Sequence, residues 1–211
     1  MTPTRWLVVM AKSPRAGSAK RRLARDIGSV AALRFYRATL ARLLRRLARD
    51  PRWKVVLYIS PDRDVFARGL WPRGVARRAQ GPGDLGARMR RPLAELGPGP
   101  VAIVGGDIPD LGPRHVAAAF KALGSHDLVF GPASDGGYWL VGAKRRPRTP
   151  LLFHRVRWSS EHALRDTLDG VGTRLRVAML ETLDDVDNGS DYARFKCSRS
   201  RGMSSTRLQG R

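Results

Sequence analysis

Short apolar runs alternate along this chain with longer stretches of helical periodicity. Runs at residues 6–10, 54–59, 101–104 and 128–130 read as buried strands. Between the first two, Leu33, Tyr36, Leu40, Leu44 and Leu47 recur at helical spacing, after a capping Ser29 and before Asp50-Pro51. Further helices are expected at 61–70, 84–96 and 113–123, and a weak strand at 75–79. Strands separated by helices predict a parallel sheet covered on both faces. After residue 130 the pattern changes. A strand at 138–141 follows Gly136-Gly137, and a basic loop spans 144–150. A helix then runs from Ser159 or Ser160 to 168, followed by a strand at 175–180 and a short helix ending at 195. Residues 1–195 therefore read as one domain. Residues 196–211 are Ser- and Arg-rich with little apolar material, and are expected as a basic, disordered tail.

The 211 residues suit a single domain that buries roughly 70% of its unfolded surface. Cys197 stands alone, so no intrachain disulfide can form. The longest apolar run is too short for a membrane span and lacks a signal-peptide cleavage pattern, which makes the cytoplasm the expected location. The net charge of +22 is unevenly spread. Residues 1–91 hold 23 basic and 5 acidic side chains, whereas residues 92–195 hold 12 and 13. A basic half suits phosphate-bearing substrates or a polyanion. No helix-turn-helix, zinc-finger or RNA-binding aromatic pattern accompanies the charge, which argues against nucleic acid as the partner.

The chemistry gathers at strand ends, where open α/β sheets bind ligands. The first strand breaks at Pro14 and Gly17 and resumes as a basic helix. Backbone N–H groups at such a helix start favour a phosphate, and Lys12, Arg15, Lys20 and Arg22 surround it. Lys20, at the helix start, is expected to be exposed. The strand at 101–104 leads into Gly105-Gly106-Asp107, which holds a carboxylate between residues that leave the backbone open. Gly131-Pro132-Ala133-Ser134-Asp135-Gly136-Gly137-Tyr138 forms another glycine-rich turn, and Asp184-Asp185-Val186-Asp187-Asn188 a late carboxylate cluster. A hard divalent cation takes oxygen ligands, commonly one or two carboxylates plus substrate phosphates, and Asp107 with Asp187 is the pair expected here.

Taken in order, these segments resemble a known group. Lys12-x-Pro14-x-x-Gly17-x-x-Lys20-x-Arg22-Leu23, Gly83-Asp84-Leu85-Gly86-x-Arg88-Met89, Gly106-Asp107-x-Pro109-x-Leu111, Gly131-Pro132-Ala133-x-Asp135-Gly136-Gly137-Tyr138 and Asp185-Val186-Asp187 are similar to motifs of bacterial radical-SAM/selenodomain-associated transferases. These are described as glycosyltransferases of the GT-A fold, with relatives among the guanylyltransferases of phospholactate and molybdenum-cofactor metabolism. Arg21, Gly106 and Asn188 depart from the group's usual residues without removing a charged site residue.

The resemblance implies a three-layer α/β/α fold of the nucleotide-diphospho-sugar transferase type, with a mainly parallel, mixed sheet. It implies Mg2+ or Mn2+ at Asp107 and Asp187, and catalytic roles for Lys20, Asp107 and Asp135. The expected nucleotide contacts are Lys12, Arg15, Gly17, Lys20, Arg22, Gln80, Asp84 and Gly106. The expected acceptor contacts are Gly136, Gly137, Tyr138 and Trp158. The partners would be a nucleotide or nucleotide sugar and a small-molecule acceptor. Glycosyl transfer is the leading expectation. Nucleotidyl transfer to a small phosphorylated acceptor uses the same parts, and a non-catalytic anion- or nucleic-acid-binding module is the alternative from another class. Carboxylates held in glycine turns favour an enzyme, because phosphate adhesion alone gains nothing from them.

Overall fold

A computed structural model describes residues 3–207 apart from 16, 18, 146–151 and 173, with side chains as far as Ser198. Strand β1 (Trp6–Lys12) leads through the first loop to helix α1 (Arg21–Ile27) and the long helix α2 (Ser29–Ala48). There follow β2 (Lys54–Ser60), β3 (Ala76–Ala79), α3 (Leu85–Glu95), β4 (Val101–Gly105) and α4 (Pro113–Ser125). The chain continues with β5 (Leu128–Pro132), β6 (Tyr138–Ala143), α5 (Ala163–Val171), β7 (Val177–Met179) and α6 (Gly189–Arg207). The seven strands among the described residues form one sheet in the order β3-β2-β1-β4-β6-β5-β7. Only β6 runs against its neighbours, β4 and β5; the other pairings are parallel.

The alternation of strand side chains divides the core. Leu7 and Val9 of β1 with Ala102 and Val104 of β4 face α2 and α4, where Leu40, Leu44, Leu47, Val116 and Phe120 cover them. Val8, Val101 and Ile103 face the other way, towards Met89 and Leu93 of α3. A third, smaller cluster joins Leu23 of α1, Ala32 of α2 and Val186, with Tyr192 and Phe195 of α6 packed against it. That cluster matters for function, because it fastens the first loop to the 185–187 segment.

Several expectations change in detail. Residues 61–70 hold only a 3-10 turn at Asp62–Asp64, and the chain beyond it turns away through Gly69 at φ 73°. Ser29 is the first residue of α2 rather than its cap; Gly28, at φ 85°, stands at the cap. α5 starts at Ala163 instead of 159–160, since Ser159 sits at φ 59°, outside the helical region. The chain from Lys196, expected as a disordered tail, continues α6 to Arg207. Its first turns dock through Tyr192 and Phe195 on Phe35, and added helical turns propagate at low cost from a formed start. Residues 208–211 and most of the basic loop at 144–150 lie outside the described residues.

Candidate active site

Lys20 is the centre of the site. It ends the first loop in the left-handed backbone region, at φ 53° and ψ 45°. Its carbonyl accepts from Ala24 N, which starts α1, and Leu23 in that helix is fully buried. The side chain was expected to be exposed. It is instead 3% exposed, with Nζ 2.8 Å from Asp107 Oδ2, 3.3 Å from Asp185 Oδ2 and 2.6 Å from Asp187 Oδ1. A buried ammonium must be paired, and three carboxylates supply the pairing.

Two local devices bring in the three carboxylates. Asp107 follows β4 across Gly105 and Gly106. A Cβ at Gly105 would stand 2.9 Å from Asp107 Oδ1, and one at Gly106 would stand 3.0 Å from Leu40 and 3.2 Å from the Met10 carbonyl. Gly106 N donates to that carbonyl at 2.9 Å, which ties the turn to β1. Asp185 and Asp187 flank the buried Val186. With the middle residue in the apolar cluster, its two neighbours turn to the opposite side, towards Lys20. The N–H groups of Asp187 and Asn188 donate to Asp191 at the start of α6, and Gly189 N donates to Asp26 at the end of α1. Asp184, one residue earlier, turns away and accepts from Ser134 N at 2.9 Å.

The charges perturb one another. Burial lowers the proton affinity of Lys20, but Asp107, Asp185 and Asp187 together outweigh it and hold the ammonium well above its ordinary value. Burial pushes Asp185 up to about 7, helped by Asp107 and Asp187 and opposed by Lys20. Burial also works to raise Asp187, yet Lys20 keeps it below the usual carboxylate range. Carboxylate oxygens of Asp107, Asp185 and Asp187 lie within 4.8 Å of one another. Three hard oxygen donors this close, one from the turn after β4 and two from the 185–187 segment, form a set that suits a divalent cation. Asp107 and Asp187 were the expected pair. Asp185 is the residue that sequence reasoning missed, although its alternation around an apolar Val186 was the available signal.

The triad opens into a cavity of about 660 Å³ on the α3 and α5 side of the sheet. Lys12, Arg21 and Arg22 line its basic end. Met10, Ile103 and Val141 form an apolar floor, and Leu85 and Met89 of α3 face Tyr138 and Trp158 across it. Asp135 also lines the cavity, with Oδ1 fixed by Gly137 N at 2.9 Å. Gly136, at φ 81°, lets the turn meet the 158–163 segment: a Cβ there would stand 2.0 Å from the Glu161 carbonyl. Arg157 secures that segment by donating from Nε and Nη2, along one guanidinium edge, to the two carboxylate oxygens of Asp166 of α5, at 2.9 and 2.7 Å.

The structure thus gathers Lys12, Lys20, Arg22, Asp107, Asp135, Gly137, Tyr138, Trp158 and Asp187 around one cavity. Other expected contacts stand apart from its lining. Arg15 pairs at 3.1 Å with Asp64 of the 3-10 turn that follows β2. Gly17 lines a separate hollow with Ala24 and Arg25. Gln80 is buried and donates to the carbonyls of Ala11 and Tyr58, so it braces two strand ends. Asp84 caps α3 by accepting from Ala87 N at 2.7 Å, as Asp commonly does before a helix. Gly106 and Gly136 lie outside the cavity lining, and each makes a close approach to neighbouring backbone. His115 is buried at the start of α4, with Nε2 3.1 Å from Glu181 Oε1.

A family model described as an uncharacterized protein conserved in bacteria, DUF2064, matches residues 43–160. The chain belongs to the DUF2064 family. The match takes in Asp107, Asp135 and Trp158, whereas Lys20, Asp185 and Asp187 lie outside it. No curated protein matches this DUF2064 member. Among solved structures, it is similar to a candidate nucleotide-diphospho-sugar transferase from Desulfovibrio desulfuricans G20. The two share 28% identity and a TM-score of 0.76, over 89% of this chain and 84% of that one. Glucosyl-3-phosphoglycerate synthase from Mycobacterium tuberculosis, solved with Mn2+, UDP and glucosyl-3-phosphoglycerate, matches at 15% identity and a TM-score of 0.55, over 87% and 71%. The inositol-1-phosphate CTP transferase of T. maritima matches at 14% and 0.56, over 89% and 91%. The fold is that of nucleotide-diphospho-sugar transferases and nucleotidyltransferases. No helix among the described residues is long and apolar enough to cross a membrane.

Proposed function

We propose that this protein transfers a glycosyl group from a nucleotide-diphospho-sugar to a small-molecule acceptor, with Mg2+ or Mn2+ held by Asp107, Asp185 and Asp187. The observation that carries this reading is the acidic triad at the basic end of a single cavity. Lys12, Arg21 and Arg22 are placed to bind the diphosphate, and a cation on the triad would neutralise charge on the departing diphosphate. The sugar would extend along the cavity towards Asp135. Transfer forms a bond from an acceptor oxygen to the anomeric carbon and breaks the bond from that carbon to the diphosphate. Asp135 accepts the acceptor's proton, and Gly137 N–H holds its carboxylate in position. Trp158 and Tyr138 wall the acceptor end and exclude water from it.

Nucleotidyl transfer uses the same triad and basic end, and neighbours of this fold carry it out. Asp135 favours the glycosyl reading. A carboxylate facing the reacting centre suits sugar and acceptor hydroxyls and repels a phosphorylated acceptor. The experiment is a thermal-shift panel of nucleotides and nucleotide sugars with Mn2+, followed by product analysis on the ligand that stabilises most. A ligand at about 100 times its Kd should stabilise by roughly 2.7 kcal/mol. Release of a nucleoside diphosphate from a nucleotide sugar supports the proposal. Release of pyrophosphate from a nucleoside triphosphate, with every nucleotide sugar left intact, replaces it with nucleotidyl transfer.

A further inference from the structure

We propose that Lys20 occupies the cation position of the triad when no metal is bound, so that a divalent cation enters only by displacing the Lys20 ammonium into the cavity. This rests on the cation reading given above and adds an order of events to it. Nζ touches all three carboxylates at 2.6–3.3 Å, and the carboxylate oxygens lie within 4.8 Å of one another. Carboxylate oxygens stand about 2.0–2.6 Å from a hard divalent cation, so three oxygens this close enclose one cation between them. The ammonium stands in that space. Two cations cannot share it, because like charges in contact at a half-buried site repel strongly.

The displaced group has somewhere to go. The backbone of Lys20 is fixed by the start of α1 and by the buried Leu23, so the flexible four-carbon stem makes the move. Lys20, Arg21 and Arg22 line one cavity with the triad, and Lys12 stands beside them. An ammonium expelled into so basic a space gains a partner only when an anion is present. Diphosphate oxygens supply that partner. Metal and nucleotide therefore each bind more tightly in the other's presence, and Lys20 passes from the carboxylates to the phosphate.

The test measures Mn2+ binding to the full chain by the loss of the free-ion EPR signal, without nucleotide, for the parent, Lys20→Met, Lys20→Gln and Lys12→Met. Both Lys20 variants should bind Mn2+ about tenfold more tightly or better, since the competing cation is gone. Lys12→Met removes the same charge without vacating the site and should stay within about threefold of the parent. Near-UV circular dichroism reports folding in chelator. Should a Lys20 variant unfold there, its Mn2+-driven refolding midpoint replaces the binding curve, and a midpoint below the parent's binding midpoint supports the proposal. Equal or weaker Mn2+ binding by both Lys20 variants overturns it, as does equal tightening by Lys12→Met. A parent that binds Mn2+ in neither the presence nor the absence of UDP overturns the cation reading itself.

Discussion

The two faces of the sheet are built to different ends. On one, α2 and α4 run 20 and 13 residues and close over a continuous apolar cluster. On the other, α3 and α5 run only 11 and 9 residues, and the cavity opens between α3 and the 158–163 segment. The closed face supplies burial; the open face gives some up to leave room for a ligand. The difference teaches where substitutions should register. Side chains under α2 and α4 should act on stability with little effect on binding, and polar side chains lining the cavity, such as Asp135, on binding and turnover with little effect on stability.

The largest expected effect is on the open face. Asp135→Asn should lower kcat by about 10²–10⁴-fold, the usual worth of a positioned base. Asn keeps the contact to Gly137 N, so the melting temperature should hold. A loss of both would show that Asp135 is structural and would blur the contrast between the faces. Next comes the closed face. Leu44 is 1% exposed, and Leu44→Ala should cost about 2–5 kcal/mol in chemical denaturation, with the nucleotide affinity of the folded fraction unchanged. Altered affinity would mean that packing under α2 reaches the cavity.

The smallest effect belongs to neither face. Lys196, Cys197 and Ser198 are exposed, so truncation after Phe195 should move the melting temperature by no more than about 2 °C. A larger fall would show that the end of α6 packs on the domain.

The closed face was the more legible in sequence. Its helices announce themselves by apolar residues at helical spacing, and its strands by short apolar runs, both local signals. The cavity was legible in part, since Asp107 and Asp135 stand beside glycines that mark strand ends and turns. What stayed hidden depends on distant partners. Lys20 looks exposed until Asp185 and Asp187, 165 and 167 residues away, are brought to it. Arg15 looks like a phosphate ligand until Asp64, 49 residues away, is in place. Asp184, Asp185 and Asp187 are alike as letters. Only the burial of Val186 separates the two that face the site from the one that fixes Ser134. Asp84 and Gln80 carried the opposite ambiguity, for a helix cap and a strand brace use the same residue types as a nucleotide contact.

The triad as a cation site is the central claim, and Asp185 is its most exposed member to refutation. Calorimetric affinity for the best nucleotide ligand, with Mn2+ and with chelator, should be compared for the parent, Asp107→Asn and Asp185→Asn. The parent should lose at least about tenfold in affinity when chelator replaces Mn2+, and both variants should abolish most of that gain while leaving the chelator value nearly intact. Parent affinity that is the same with Mn2+ and with chelator, or an Asp185→Asn variant that keeps the full Mn2+ gain, would contradict the account.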